Sequence, residues 1–286
     1  LGLDQPVIVQ YLNYLRRVVT GDLGQSVTTH QSVASDLAGA LPSTLQLVIL
    51  VLVVNVVVGI PLGTLAAVRR SGAVDGSIRI LVVIAGGIPV FWLALIVQYF
   101  VASKWRILPI SGSNSFGTAP PRVTGFTLID SLLAGSGPMF VDSLLHLVLP
   151  TLVLAAPFVA IVARSVRTSM ATTLSMDHIA FARAKGANTM HVVMQHGMRI
   201  ALPAPINLLG QQAGYIMGSA ILVEVIFGLP GIGQYLNNSI INHDTFAVLG
   251  VVLVIGIVFT VSNLIADLIQ IWLNPQLRSA DLTKAM

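Results

Sequence analysis

The side chains that could do chemistry are few in this sequence, and they do not gather into a catalytic group. There is no cysteine, which excludes disulfides, thiolate chemistry and cysteine-based metal sites, and the six histidines are scattered. Glu224 is the only glutamate of the chain, and it stands just before a turn rich in glycine and proline. The sequence therefore predicts no catalytic residue, no bound cofactor and no metal site.

The run FGLPGIG at 227–233 favours a tight turn whose backbone N–H groups lack regular partners. A carboxylate at the base of this turn can accept those hydrogen bonds and hold the turn over a path through the protein. We therefore predict a turn or gate formed by Glu224, Pro230, Gly231 and Gly233. Two other interpretations of the carboxylate stay open, namely a direct substrate ligand and a solvated residue at an interface.

The most informative stretch covers residues 175–203 and reads SMDHIAFARAKGANTMHVVMQHGMRIALP. Asp177 or Ser175 can cap the start of a helix, and Gly186 suits the left-handed residue that ends one. Asn188 can then cap a second helix. The pattern predicts a short helix joined by a tight turn to an ascending helix, and by periodicity alone the short helix is an ordinary amphipathic surface helix.

Composition indicates where these elements must be placed. Only 9% of the residues are charged and 55% are hydrophobic, whereas soluble domains carry about a quarter charged residues. Uncharged windows long enough to cross a bilayer predict five helices near 43–68, 79–102, 143–168, 203–225 and 246–273. The sequence thus predicts an all-α, polytopic transmembrane bundle. The net charge of +4 does not indicate nucleic acid, because no basic cluster or aromatic stacking platform accompanies it.

The basic residues predict the orientation of the bundle. The segments 69–79, 163–199 and 274–286 hold ten of the fifteen basic residues. Since positive charge concentrates in cytoplasmic loops, we expect these segments and the C-terminus to be cytoplasmic, with 1–40 and 228–243 extracytoplasmic. A chain that starts outside and does not begin with methionine is expected to have a sixth, N-terminal span upstream.

The 175–203 stretch resembles the ATPase-coupling motif of bacterial ABC importer permeases, in the form found in dipeptide and oligopeptide permeases. That form reads Asp-Tyr-Ile-x-x-Ala-Arg-Ala-Lys-Gly, then nine residues, then His-x-Leu-Arg. The broader motif has Glu-Ala-Ala where this chain has AFA at 180–182, and His178 replaces the tyrosine. The matching residues that the resemblance assigns to ATPase coupling are Asp177, Ala182, Arg183, Ala184, Lys185, Gly186 and His196.

The resemblance covers nearly the whole chain, because further family signatures follow in the expected order. They are GDLGQS at 21–26, LPSTLQL at 41–47, IPVFWLAL at 88–95, VEVIFGLPGIG at 223–233 and NLIADLIQIWLNPQLR at 263–278. The chain is similar to the B-type permease subunit, which has six spans. The resemblance implies the type I importer permease fold, with 1–286 as one transmembrane domain, a coupling segment at 170–200 and a re-entrant turn at 228–243.

The resemblance also implies a function and partners. The chain would be a permease subunit of an ATP-binding-cassette importer in the bacterial cell membrane, lining the path of peptides or a related small solute. Its partners would be membrane lipid, a second homologous permease in a heterodimer, two ATPase subunits and an extracytoplasmic substrate-binding protein. Since the chain has no P-loop, it is not expected to be an enzyme, and ATP and Mg would bind the partner subunits.

The substrate stays open, because related permeases carry dipeptides, longer peptides, nickel complexes, glutathione or haem. The alternative function is an ion- or proton-coupled secondary transporter, which needs no ATPase. Such proteins usually show intramembrane carboxylates near the bilayer midplane. Here Glu224 and Asp267 are predicted near opposite ends of their spans, so we favour the ABC permease.

Overall fold

The computed structural model describes residues 6–70, 72–117 and 120–273. In chain order, its helices are α1 Val7–Val19, α2 Val33–Val68, α3 Ala73–Gly87, α4 Val90–Lys104, α5 Thr127–Leu133, α6 Gly137–Thr173, α7 Asp177–Ala184, α8 at 189–201, α9 Pro203–Phe227, α10 Ile232–Ile241 and α11 Thr245–Leu273. Helices α2, α4 and α8 each contain a π-helical stretch, at Asn55–Gly59, Gln98–Lys104 and Val192–Gly197. Within the described ranges the protein is all-α, as predicted.

Over the ranges that it describes, the structure has three to five candidate spans, which is compatible with the five spans predicted from the sequence. Helices α2, α6 and α11 are long and apolar enough to cross a bilayer. Two bent pairs, α3 with α4 and α9 with α10, raise the number to five among the described residues if each pair forms one span. The described part of the chain is therefore a polytopic helical bundle.

The predicted single helix at 79–102 is wrong in shape. The structure has two helices there, α3 and α4, which meet at an angle of 99°. Pro89 lies at the N-cap of α4, and Ile88 before it is extended, with φ −85° and ψ 128°. A residue before proline avoids the helical region because it clashes with the proline ring, so the chain turns at this point.

The other boundaries differ less. Helix α2 begins ten residues before the predicted start of 43, at Val33, where the Ser32 side chain accepts a hydrogen bond from the Ser35 N–H group. Because its first turns contain polar residues, this part of the helix does not stand out in the sequence as an apolar window. Helix α6 extends past both ends of the predicted 143–168, whereas α9 and α11 lie close to their predicted limits.

Helix α6 is the centre of the bundle and packs against α2, α3, α4, α5 and α9. Close approach of α2 depends on Gly63, where a Cβ atom would lie 2.7 Å from the Cβ of Val166 on α6. Helix α9 packs on α11 in the same way, because side chains at Gly210 and Gly214 would overlap α11. Small residues at helix crossings are typical of membrane bundles.

The contacts of the bundle define two ends. The turn end comprises residues 20–32, the turn at 228–231, α10 and the start of α11, which contact one another. The coupling end comprises the start of α3, the end of α6, α7 and α8. The segments predicted to share the extracytoplasmic side meet at the turn end, and 69–79 and 163–199 belong to the coupling end. Residues 274–286, predicted to be cytoplasmic, lie outside the described residues.

Candidate functional site

Glu224 lies in the last turn of α9 beneath the turn that follows it, and it has no exposed surface. Its Oε2 atom accepts a hydrogen bond of 2.6 Å from the Gly233 N–H group. The N–H group of the preceding residue, Ile232, donates to the Thr44 hydroxyl on α2 at 2.9 Å. The carboxylate thus joins the end of α9 to the start of α10, and α2 supports the same turn. Oε1 has no hydrogen-bond partner within the described ranges.

The glycines of the turn are required by the space around them. A Cβ atom on Gly231 would overlap the Glu224 carboxyl group. A Cβ atom on Gly233 would lie 2.6 Å from the Cα atom of Ile221 and 2.7 Å from the carboxylate. Pro230, by contrast, is exposed at the top of the turn. The structure brings three of the four predicted turn residues into direct contact and leaves Pro230 at the surface.

A second set of hydrogen bonds ties the loop after α4 to the turn. The Gln98 side-chain amide donates to the carbonyl groups of Ile110 and Ile226, each at 2.9 Å. The Gly112 N–H group donates to the carbonyl of Phe227, the last residue of α9, at 2.8 Å. The bonds to Ile226 and Phe227 satisfy carbonyl groups that the end of α9 leaves without intrahelical partners.

Asp244 caps α11 and holds the segment 20–32, a role that the sequence analysis missed. Its carboxylate accepts hydrogen bonds from the Ser26 hydroxyl at 2.6 Å, from the Thr28 N–H group at 3.2 Å and from the Ala247 N–H group at 3.1 Å. Burial alone would raise the pKa of Asp244, but these hydrogen bonds lower it below its ordinary value. The sequence signal for this role is the position of the aspartate directly before an apolar helix, where it can cap the helix start.

Asp36 makes a second link at the turn end. It accepts hydrogen bonds from the Thr29 hydroxyl at 2.6 Å and from the Tyr235 hydroxyl of α10 at 3.1 Å. Since these partners are up to 199 positions apart in the chain, no local pattern indicated the pairing. The turn end is therefore fastened by carboxylates on three helices: α2, α9 and the cap of α11.

At the coupling end, the local geometry of α7 follows the prediction in part. Gly186 has a φ of +88°, and the Asn188 side chain accepts a hydrogen bond from the His191 N–H group at 2.7 Å, so both predicted roles are confirmed. The predicted cap at the start of α7 is wrong. Met176 occupies that position without a side-chain bond, and the Ser175 hydroxyl instead donates back to the Thr172 carbonyl at 2.7 Å.

Helix α7 presents most of the predicted coupling residues to its surroundings. Its only buried residue is Ile179, and α7 packs against the π-helical stretch Val192–Gly197. Ala182 on α7 and His196 on that stretch are half-buried. The centre of the His196 ring lies 5.6 Å from the centre of the His191 ring. The remaining predicted coupling residues are exposed, namely Asp177, Arg183, Ala184, Lys185 and Gly186.

An ion pair fixes the base of the coupling end. Both nitrogens Nε and Nη2 of Arg167 on α6 donate to the two oxygens of Asp75 on α3, each at 2.6 Å. Asp75 is 3% exposed, so this bidentate pair is largely shielded from water. Arg167 is one of the basic residues that predict the orientation of the bundle, and its partner lies 92 positions away, where no local pattern indicates it.

A polar contact inside the bundle links α2 to α9. The Asn55 amide, at the start of the π-helical stretch of α2, donates to the Gln212 side chain at 3.3 Å. Both residues are buried, and the Asn55 Oδ1 and Gln212 Nε2 atoms have no partner in the part of the chain that the structure describes. Asn55 therefore forms a hydrogen bond between two helices of the bundle, as polar side chains in membrane bundles commonly do.

Comparison with known proteins identifies the arrangement. Residues 59–279 match the family described as the inner membrane component of binding-protein-dependent transport systems. In fold, the chain is similar to a chain of the inward-facing MetNI methionine ABC transporter, with a TM-score of 0.62 and 19% identity over 81% of this chain and 93% of that one. The type I importer permease fold predicted from the motifs is therefore confirmed.

Sequence relatives cover still more of the chain. It is 38% identical to the probable D,D-dipeptide permease DdpB of Escherichia coli K12, over 97% of this chain and 82% of the relative. It is 35% identical to the dipeptide permease DppB of the same strain, over 97% and 83%. The di/tripeptide permease DppB of Pseudomonas aeruginosa is 33% identical over the same shares. This chain therefore belongs to the inner membrane components of binding-protein-dependent transport systems, within the dipeptide and oligopeptide permease family of ABC importers.

Proposed function

We propose that this chain forms one half of the translocation path of an ATP-driven peptide importer. The observation that carries the proposal is the similarity to dipeptide permeases over 97% of the chain. A second homologous permease would complete the path as a heterodimer, and an extracytoplasmic binding protein would deliver the peptide. ATP and Mg would be bound and used on two separate ATPase subunits.

In this proposal α7 is the helix that docks on an ATPase subunit. Its exposed residues from Asp177 to Gly186 offer charges and small side chains to a groove on the partner, and His196 borders the same surface. Ile179 is fully buried, so a push on α7 moves the helices beneath it. Movement of a short packed helix of this kind can tilt the spans and alternate access between the two sides.

The turn at 228–231 closes the path at the opposite end, with Glu224 as its scaffold. Burial of the carboxylate and its bond to Gly233 support a scaffold rather than a substrate ligand. The basic residues favour a cytoplasmic coupling end and C-terminus, with 1–40 and 228–243 outside. The turn end would then face the binding protein, and the coupling end the ATPases.

The energy source tests this function against an ion-coupled transporter. The chain is co-expressed with its second permease and ATPase subunits, and the complex is reconstituted in proteoliposomes with the binding protein added outside. We expect uptake of a labelled dipeptide only when ATP is present on the ATPase side. An imposed proton or sodium gradient without ATP should give no uptake above that of empty vesicles.

The matched control is the same complex with an ATPase variant that binds ATP but does not hydrolyse it, and it should be inactive. Gradient-driven uptake by vesicles that lack the ATPase would overturn the proposal in favour of the secondary transporter. The substrate class is tested by competition with unlabelled dipeptides, nickel complexes, glutathione and haem. Competition by one of the last three, without any by peptides, would contradict the peptide assignment.

A further inference from the structure

A cavity at the coupling end combines arginines with an apolar wall. It lies between α3 and α6 and has a volume of about 310 Å³. Its polar lining comes from Arg79, Arg164 and Arg167, and its apolar lining includes Val82 and Val83. The cavity is separate from the turn and from α7, so neither part of the proposed function accounts for it.

Two of the three arginines have no counterion in the described part of the chain. Arg167 is engaged by Asp75 through two hydrogen bonds of 2.6 Å. Arg79 and Arg164 are both exposed. Neither makes a side-chain hydrogen bond or ion pair with any described residue. Orientation by positive charge explains why arginines are found at this end. It does not explain why two unpaired arginines border one cavity.

The depth of these arginines suits the boundary between lipid headgroups and hydrocarbon. Arg79 lies six residues after the start of α3, about 9 Å along the helix, and Arg164 lies nine residues before the end of α6, about 14 Å. Long basic side chains at such positions extend toward the headgroups while their stems remain in apolar surroundings. The neighbouring residues Ile80, Leu81 and Ile84 of α3 are exposed and apolar.

The ligand must therefore join an anionic group to apolar chains. A phosphodiester accepts bidentate hydrogen bonds from guanidinium groups, and acyl chains match the exposed face of α3. Free phosphate would leave the apolar wall without a partner. Basic pockets between transmembrane helices are known to hold anionic lipid headgroups. We propose that the cavity lined by Arg79, Arg164 and Arg167 binds the phosphodiester headgroup of an anionic phospholipid in the adjacent leaflet.

Lipid retention by the assembled complex tests the proposal. The complex is delipidated in detergent and titrated with phosphatidylglycerol or phosphatidylcholine, and bound lipid is counted by native mass spectrometry. We expect phosphatidylglycerol to bind at least tenfold more tightly than phosphatidylcholine. The double variant Arg79→Gln/Arg164→Gln should lose at least tenfold of this affinity. Arg69→Gln/Arg70→Gln is the matched control, because it removes the same charge from exposed arginines that do not line the cavity.

Equal loss in both double variants would overturn the proposal, since it would indicate a general effect of charge. Displacement of the lipid by inorganic phosphate at millimolar concentration would indicate a free-anion site, and displacement by a transported peptide would indicate a substrate site. If the variants do not assemble, the wild-type complex is labelled with a photoactivatable phosphatidylglycerol. Labelling of peptides that contain 78–83 or 163–167 supports the site, and labelling elsewhere alone contradicts it.

Discussion

At the turn end, Glu224 is fully buried and bonded to the turn that it supports. At the coupling end, α7 buries only Ile179 and leaves its charged residues exposed. The first region is completed by side chains from distant parts of the same chain, including Thr44 and Asp244. In the second region, α7 has a helical backbone but few side-chain partners within the described part of the chain.

Under the proposed function, the difference indicates how each end would contribute to one conformational cycle. A turn held by several buried hydrogen bonds resists local opening, because each broken bond would leave an unpaired polar group. An exposed helix with one buried anchor can accept a partner and change position at low cost. We infer that movement begins at α7 and that the turn follows as a rigid unit.

The largest expected effect comes from Glu224→Ala. This change removes the acceptor of the Gly233 N–H group and leaves a cavity beneath the turn, at a cost of about 2–4 kcal/mol. Glu224→Gln keeps one acceptor oxygen and should cost about 1 kcal/mol. We expect the alanine variant to lose at least tenfold of peptide uptake and the glutamine variant to stay near wild type. Peptide uptake measures the loss of transport, and the apparent Tm of the assembled complex measures the loss of stability.

The pattern across substrates decides between scaffold and ligand. A scaffold predicts equal loss for a dipeptide with a free amino terminus and for its acetylated counterpart, each scaled to its wild-type rate. A defect confined to the free amine would assign Glu224 to substrate binding. If both variants transported normally with unchanged Tm, the contrast between the two ends would have no functional meaning.

Local chemistry predicted much of both ends from the sequence. The uncharged windows located the spans, because a bilayer excludes charge over about 20 residues. Gly186 and Asn188 were predicted from their own conformational preferences, and Glu224 from its place beside a turn with free N–H groups. Each of these inferences needs only neighbouring residues.

Long-range pairings could not be predicted in this way. Arg167 and Asp75 are 92 positions apart, and Ser26 and Asp244 are 218 apart. Their encounter depends on helix packing, which one sequence does not reveal. The sharp break at Pro89 was also missed, because a proline in an apolar run can either kink a helix or end it.

A smaller effect on stability is expected at the coupling end. Gly186→Val places a β-branched residue at a φ of +88°, which costs roughly 1–2 kcal/mol in the turn after α7. A Cβ atom there would meet no atom within 4 Å, so strain in the backbone is the expected effect of the substitution. We expect normal insertion and a Tm close to wild type, with peptide uptake and peptide-stimulated ATP hydrolysis reduced severalfold.

Gly135→Val is the matched control, since Gly135 has a φ of +67° and similar open space between α5 and α6. It should bear a comparable strain with uptake intact. Near-normal uptake by the assembled Gly186→Val complex would show that the geometry of this turn does not govern coupling. Equal loss in both variants would assign the defect to strain in general.

The smallest effect concerns Asp244 and the attachment of residues 20–32. Its folded-state pKa is lowered, so the carboxylate contributes stability above its unfolded pKa of about 3.9, and this contribution is lost as pH falls through the folded value. Protection of 20–32 against hydrogen exchange, corrected for the intrinsic rate, should therefore be the same at pH 7 and pH 5. It should weaken only below about pH 4.

Asp244→Asn keeps one acceptor oxygen and should reduce protection by about 1 kcal/mol at pH 7, without changing protection in α7. Loss of protection already at pH 5 to 6 in the wild-type protein would mean that another group holds the segment, and the turn end would then be less firmly fastened than its hydrogen bonds indicate.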